Sequence, residues 1–221
     1  MTDTRPMLKS VWRGLIEQLA PVVCVACDGP LTAGESAFCG ACEPLTERVL
    51  ASAEPDLVAL YHYGGPVADA VWRMKYEGRS EVARALGPAL AASALRWAGS
   101  IDAVTAVPLT PSKLRARGYN QAALLARQLA RALDLPFRPA WLARVRAGPR
   151  QVGQGRALRL CSIHGAFQAS PKALGKRVLV VDDVRTTGAT LGEARRALQS
   201  AGARQVLGLV LALADARSED A

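Results

Sequence analysis

Apolar residues change their spacing part-way along this chain, and the change divides it. Near the start, Trp12, Leu15, Ile16 and Leu19 recur at helical spacing and predict a short amphipathic helix. Cys24 to Cys42 carries no such period. It holds Gly29-Pro30 and Gly34 between two cysteine pairs and reads as loop, and Pro44 to Pro55 reads as a linker. From Leu57 onward, short apolar runs alternate with amphipathic stretches. Val58 to Tyr63 predicts a strand, ending at the Gly64-Gly65-Pro66 turn. Val67 to Tyr76 and Glu81 to Trp97 predict helices separated at Gly78, and Ile101 to Val107 a strand stopped by Pro108. Leu125, Leu129 and Leu133 stand one turn apart in a helix from Gln121 to Leu133. Val178 to Val181 then predicts a buried strand, Leu191 to Ser200 a helix ending at Gly202, and Val206 to Leu213 a last strand. Such alternation gives an α/β fold with helices packed on a parallel sheet. The expected division is residues 1–50 as N-terminal helix and cysteine-bearing segment, and residues 51–221 as the α/β domain.

Composition narrows the setting. Half the residues are hydrophobic, enough for a buried core, and 28 Lys and Arg against 19 Asp and Glu give a net charge of +9. A basic protein of this size attracts nucleic acid, anionic membrane or a polyphosphorylated small molecule, and charge alone does not choose among them. Leu15 to Ala20 is interrupted by Glu17 and Gln18, unlike the unbroken apolar core of a signal peptide. Val206 to Ala214, the longest apolar run, is too short to span a bilayer. A cytoplasmic location is therefore expected, where thiols stay reduced and clustered cysteines suit metal better than disulfides.

Cys24-Val25-Ala26-Cys27 and Cys39-Gly40-Ala41-Cys42 are two CxxC pairs across a short loop. Two thiolates three positions apart in a tight turn point at one cation, and a second such turn closes the tetrahedron of a structural zinc site. Cys24, Cys27, Cys39 and Cys42 are thus the expected zinc ligands, leaving no open position for chemistry. A redox CxxC uses one pair inside a βαβ unit, which is absent here. Cys161 stands alone and reads as a plain thiol.

The stretch from Val178 to Leu191 is the most informative. An apolar strand delivers Asp182 and Asp183 to its carboxyl end, where open α/β sheets bind ligands. Thr186-Thr187-Gly188-Ala189-Thr190 follows, and then a helix begins. Hydroxyls and backbone amides of such a loop make a phosphate cradle, and the carboxylates suit sugar hydroxyls or a magnesium ion. Together they ask for a sugar with a terminal phosphate. Receiver domains also end a strand in Asp-Asp, but on their first strand, and no GxxxxGK[ST] loop is present. Gly153-Gln154-Gly155 lacks the third glycine and the preceding strand of a dinucleotide fingerprint.

This segment resembles the phosphoribosyl pyrophosphate (PRPP) signature of type I phosphoribosyltransferases. Over nearly its whole length the chain resembles the ComF family, competence-associated proteins with a small zinc ribbon before a type I phosphoribosyltransferase domain. Three further blocks carry the likeness. Tyr63 to Pro66 with Lys75-Tyr76-Glu77-Gly78 is similar to a first family motif. Val107-Pro108-Leu109 through Lys113, Arg115, Arg117 to Gln121 is similar to a second, and Gln151 through Arg159 to Gly165-Ala166-Phe167 to a third. In the third, Ser162 stands where the family usually has Asn, and Gln154 where an apolar residue is common.

The resemblance implies that Asp182 and Asp183, as the catalytic carboxylates, hold the ribose hydroxyls. It implies Mg²⁺ between ribose and pyrophosphate, Thr186, Thr187, Gly188, Ala189 and Thr190 around the 5-phosphate, and Lys113, Arg115 and Arg117 on the pyrophosphate. Three functions follow from it: transfer of phosphoribose to an unidentified acceptor, PRPP sensing without catalysis, and an accessory role with single-stranded DNA and the DNA-uptake machinery. Against the last, aromatic residues make up 5% of the chain and no stripe of alternating aromatic and basic residues is visible.

Overall fold

The computed structural model describes residues 23–35, 37–50, 54–145 and 163–214. The expected N-terminal helix around Trp12 to Leu19, Cys161, and Gln151 to Arg159 with Ser162 of the third motif lie outside them.

Four parallel strands form the sheet in the order β1-β6-β5-β2: β1 (Leu57–His62), β2 (Ala103–Ala106), β5 (Arg177–Arg185) and β6 (Gln205–Leu213). The central β5 and β6 read as near-continuous apolar runs because both their faces are covered. Among the described residues the helices are α1 (Gly65–Tyr76), α2 (Glu81–Ala94), α3 (Pro111–Arg117), α4 (Gln121–Ala132) and α5 (Ala189–Ser200); all but α3, which buries no residue, contribute to the core around the sheet. A two-stranded antiparallel hairpin, β3 (Leu142–Arg144) with β4 (Phe167–Ala169), stands apart from the main sheet.

Side chains alternate across the sheet, and the two faces collect different partners. Leu179, Val181, Leu207, Leu209 and Leu211 belong to one cluster with Val67, Val71 and Met74 of α1, Leu86 and Leu90 of α2, and Leu125 and Leu129 of α4. Val178, Val180, Val206 and Val210 belong to the other, with Leu142, Phe167 and, from α5, Leu191, Ala194 and Leu198. In the first layer α2 crosses α4 so closely that a Cβ on Gly87 would lie 2.8 Å from Cβ of Gln128. A glycine at that crossing lets the helices meet.

The cysteine segment packs on the first cluster. Cys24, Val25, Ala26, Ala37 and Phe38 are buried in the same apolar core as α1, and Phe38 meets Tyr61 of β1 edge-to-face with ring centroids 5.9 Å apart.

Three features depart from the sequence expectations. The basic stretch after Pro108, to which the apolar pattern assigns no element, is helix α3. Thr110 caps it by accepting the Lys113 N–H, Pro111 opens it, and Gly118 ends it in the left-handed region at φ 78°. β5 runs on to Arg185 because β6 pairs with it to the end, although β2 stops at Val181. Part of the expected linker is stitched to β1, where His62 N–H donates to Glu47 O and Val49 N–H to Leu60 O.

Candidate functional site

The unequal lengths of β2 and β5 create the site. β2 pairs with β5 only as far as Val181, so Asp182 and Asp183 emerge beyond the shorter strand while β6 still holds their backbone. Successive residues on a strand face opposite sides. Asp183 follows Leu179 and Val181 toward the α1 layer, and its side chain is 7% exposed. Asp182 follows Val178 and Val180 toward the β3–β4 layer. Loss of solvent pushes the Asp182 carboxyl well above the ordinary carboxylate range, and the neighbouring charge of Asp183 adds to the rise. On the same side, the Arg144 guanidinium of β3 loses basicity through burial and regains part of it from the charge of Asp182.

Lys75, near the end of α1, reaches this site. Its Nζ stands 2.9 Å from Asp183 Oδ2, an ion pair with 21% of the lysine side chain exposed. Oδ2 has this ion pair but no directed hydrogen bond among the described residues. The other oxygen, Oδ1, accepts the Val184 N–H at 2.9 Å, and Asp183 N–H donates to Asp182 Oδ1 at 2.9 Å. A buried carboxylate with one oxygen short of a donor and a second carboxylate beside it is a donor set that fits a hard divalent cation such as Mg²⁺. In the sequence Lys75 belongs to the first family motif, with no role attached to it. It lies far from Asp183 in the chain, and nothing local marks it.

The loop after β5 turns directly into a helix. Gly188 occupies the left-handed region at φ 78°, α5 begins at Ala189, and Thr187 Oγ1 accepts the Ala189 N–H at 3.4 Å. Thr186 is exposed, and Thr187, Gly188, Ala189 and Thr190 are half-buried. The first amide groups of this helix have no acceptor within it, a geometry that favours negative charge at its start. The side chain of Arg185 folds back over Gly188 and pairs with Glu54. The described end of the third block, at His164 and Gly165, meets the same helix. Glu193 accepts the Gly165 N–H, pairs with Arg196 and lies 3.7 Å from His164 Nδ1.

The second block follows β2, the strand beside β5. Tyr119 Oη donates to the carbonyl of Met74 at 2.6 Å, and Asn120 caps α4 while its Nδ2 donates to Val107 O at 2.9 Å. Of the three expected cations on α3, Arg117 is half-buried, donates to Gln121 Oε1 and lies 5.3 Å from the Tyr76 ring centre. Lys113 and Arg115 are exposed, and among the described residues no ion pair joins any of the three to Asp182 or Asp183. The structure thus joins the carboxylates to Lys75, and leaves Lys113 and Arg115 on the surface of α3.

The four cysteine sulfurs come together, with all Sγ atoms within 4.8 Å of one another. Cys27 Sγ and Cys39 Sγ are 3.7 Å apart, and zinc–sulfur bonds of about 2.3 Å give a tetrahedron with an edge of about 3.8 Å. The donor set and spacing fit zinc. Gly29 N–H points at Cys27 Sγ, as such turns do around a thiolate.

A family model described as the phosphoribosyl transferase domain matches residues 120–220. Competence protein F of Haemophilus influenzae is 32% identical over 159 residues, 68% of this chain and 68% of that protein. This chain belongs to the ComF family. The DNA utilization protein YhgH of Salmonella typhi is 33% identical over 155 residues, 68% of each chain. That of Escherichia coli strain K12 is 28% identical over 214 residues, covering 84% of this chain and 94% of its own length. The ComF-family chain is accordingly a phosphoribosyltransferase-like α/β protein with a parallel sheet and a four-cysteine cluster able to hold zinc near its N-terminus. Among the described residues, no helix is long and apolar enough to cross a membrane.

Proposed function

We propose that this ComF-family chain binds PRPP with Mg²⁺ at the carboxyl end of β5 and acts as a phosphoribosyltransferase-like protein in the cytoplasm, in the utilization of DNA. The observation that carries the reading is the junction of Asp182, Asp183 and the Thr186–Thr190 loop at the start of α5. Carboxylates for ribose hydroxyls and a helix start for the 5-phosphate then lie a few residues apart on rigid elements. Magnesium would be held by the carboxylate pair and would balance the charge of the pyrophosphate. Lys75, already on Asp183, would add a protein cation beside that charge. In phosphoribosyl transfer a lone pair of the acceptor would form the new bond to C1 as the C1–oxygen bond breaks, with pyrophosphate leaving with that bond's electron pair. DNA utilization enters from the names of the relatives, and the reduced cysteine quartet supports a cytoplasmic setting.

The test is calorimetric titration of PRPP into zinc-loaded protein with and without Mg²⁺, beside Asp182→Asn and Asp183→Asn in one chain. Magnesium-dependent binding that falls at least tenfold in the double variant is expected. Equal affinity in wild type and variant would sink the assignment.

A surface feature favours a second partner. Trp72 and Tyr76, one turn apart on α1, are 51% and 64% exposed, and their rings pack with centroids 5.3 Å apart. Arg117 extends this ladder over Tyr76, and exposed Lys113 and Arg115 share its helix. The aromatic–basic stripe that the linear sequence lacks is thus assembled from two helices. Stacking rings beside cations suit single-stranded DNA. Anisotropy with a labelled oligothymidine is expected to give binding that weakens steeply from about 50 to about 200 mM salt. Trp72→Ala with Tyr76→Ala should cost about 1–3 kcal/mol per stacked base. Binding untouched by that double change would remove α1 from any DNA contact.

A further inference from the structure

The last turn of α1 is held from two sides by two carboxylates. On one side, Asp183 pairs with Lys75. On the other, Asp28 pairs with Arg73, two residues before Lys75, and with Arg79 just after the helix, where Nη2 is 2.8 Å from Oδ1. Each helical residue turns about 100°, so Arg73 and Lys75 leave α1 about 200° apart, in nearly opposite directions. The turn is strung between them. Tyr119 adds a third tie at the intervening residue by donating to Met74 O.

Asp28 is not an arbitrary surface acid. It follows Cys27 directly, adopts the left-handed φ of 61°, and donates its N–H to Cys24 O at 3.1 Å. The turn that closes the four-sulfur cluster therefore also aims this carboxylate at α1. The apolar side agrees, because Cys24, Val25, Ala26 and Phe38 share a buried cluster with Val67, Ala70, Val71 and Met74.

We propose that Asp28 is a positioning residue: through Arg73 and Arg79 it fixes the last turn of α1 so that Lys75 stands against Asp183. The cysteine knuckle then acts as a buttress of the ligand site as well as a fold element. The inference rests on the reading of the Asp182–Asp183 end as the ligand site, yet its core, the placement of Lys75, is measurable without any ligand.

The experiment is competitive acylation of the zinc-loaded full-length chain with acetic anhydride. Labelling at Lys75 is read by mass spectrometry relative to exposed Lys113. A lysine held in an ion pair and mostly covered reacts slowly, and release exposes it. Asp28→Asn should raise relative labelling of Lys75 about threefold or more, the scale of coupling within one charged network. Asp183→Asn, which removes the pair itself, sets the upper limit. Arg73→Met leaves the sequence of the knuckle and its cysteines unchanged and should raise the labelling too, which keeps the test valid if Asp28→Asn loses zinc. Zinc content and melting temperature are measured alongside. Lys75 labelling at the wild-type level in Arg73→Met, while Asp183→Asn releases it, overturns the proposal. PRPP titration of the same samples keeps the two ideas apart. Absence of PRPP binding by wild type counts against the function, and unchanged Lys75 labelling counts against the buttress.

Discussion

Gly188 is where the backbone of the phosphate loop makes its least replaceable turn. Its φ of 78° suits glycine, and a Cβ there would lie 2.7 Å from Nε of Arg185, whose guanidinium is engaged with Glu54. Arg185 could swing away from the new methyl only by loosening that pair, so backbone strain and the lost contact act together. Gly188→Ala should cost about 1–2 kcal/mol, a fall in melting temperature of roughly 2–8 °C for a chain of this size. Gly192 is the internal control. It is exposed on α5, has ordinary helical φ and meets nothing within 4 Å, so Gly192→Ala should stabilise by about 0.5–1 kcal/mol. Thermal melts of the two variants should move in opposite directions. A shared direction would place the loop in another conformation. At this scale the chemistry was readable in the sequence wherever it is contiguous: Asp182-Asp183, the threonine loop and the CxxC pairs all announce themselves by spacing. Lys75 was not readable as a partner of Asp183, because only the packing of α1 on the sheet brings them together.

Elements were legible where a period could establish itself. α1, α2, α4, α5 and the four sheet strands each carry enough residues for a repeat of 3.6 or a sustained apolar run, and their boundaries came within a few residues. β3 and β4 have three residues each, too few for any period, and most of the chain between them lies outside the described residues. α3 failed differently. Its seven residues carry Leu114 as their one large apolar side chain and no apolar stripe, but Thr110, Pro111 and Gly118 are the start and stop signals of a short capped helix. The end of β5 was misread because composition changes at Asp182 from apolar to charged. Pairing does not stop there, since the partner strand β6 extends to Leu213. Carboxylates inside a paired strand are held more firmly than carboxylates on a loop, and the candidate site gains rigidity from this misread boundary. α3 matters to the site for a similar reason. As a capped helix it presents Arg117 to Tyr76 in a fixed pose, which a solvated loop would not.

For the molecule as a whole, the question is whether residues 1–50 and 51–221 behave as separate units, as the change in apolar spacing suggests. The buried side chains argue for one cooperative body among the described residues. The cysteine knuckle has almost no core of its own, and what it buries, Cys24, Val25, Ala26, Ala37 and Phe38, it buries against α1 and β1. A segment this small needs a staple to fold, and metal binding energy becomes folding energy. If that energy is shared through the common cluster and the Asp28 clamp, removing zinc should destabilise the α/β layer as well. Scanning calorimetry of the zinc-loaded chain should give one transition, and stripping zinc with a chelator under reducing conditions should shift that transition down as a unit. Re-addition of zinc should restore it. Two transitions in the loaded protein, with only the lower one sensitive to the chelator, would instead make the knuckle an independent module. In that case α1 would keep its place without it. The single shifted transition would tie zinc occupancy to the geometry of α1, and so to the helix that carries both Lys75 and the exposed Trp72–Tyr76 pair.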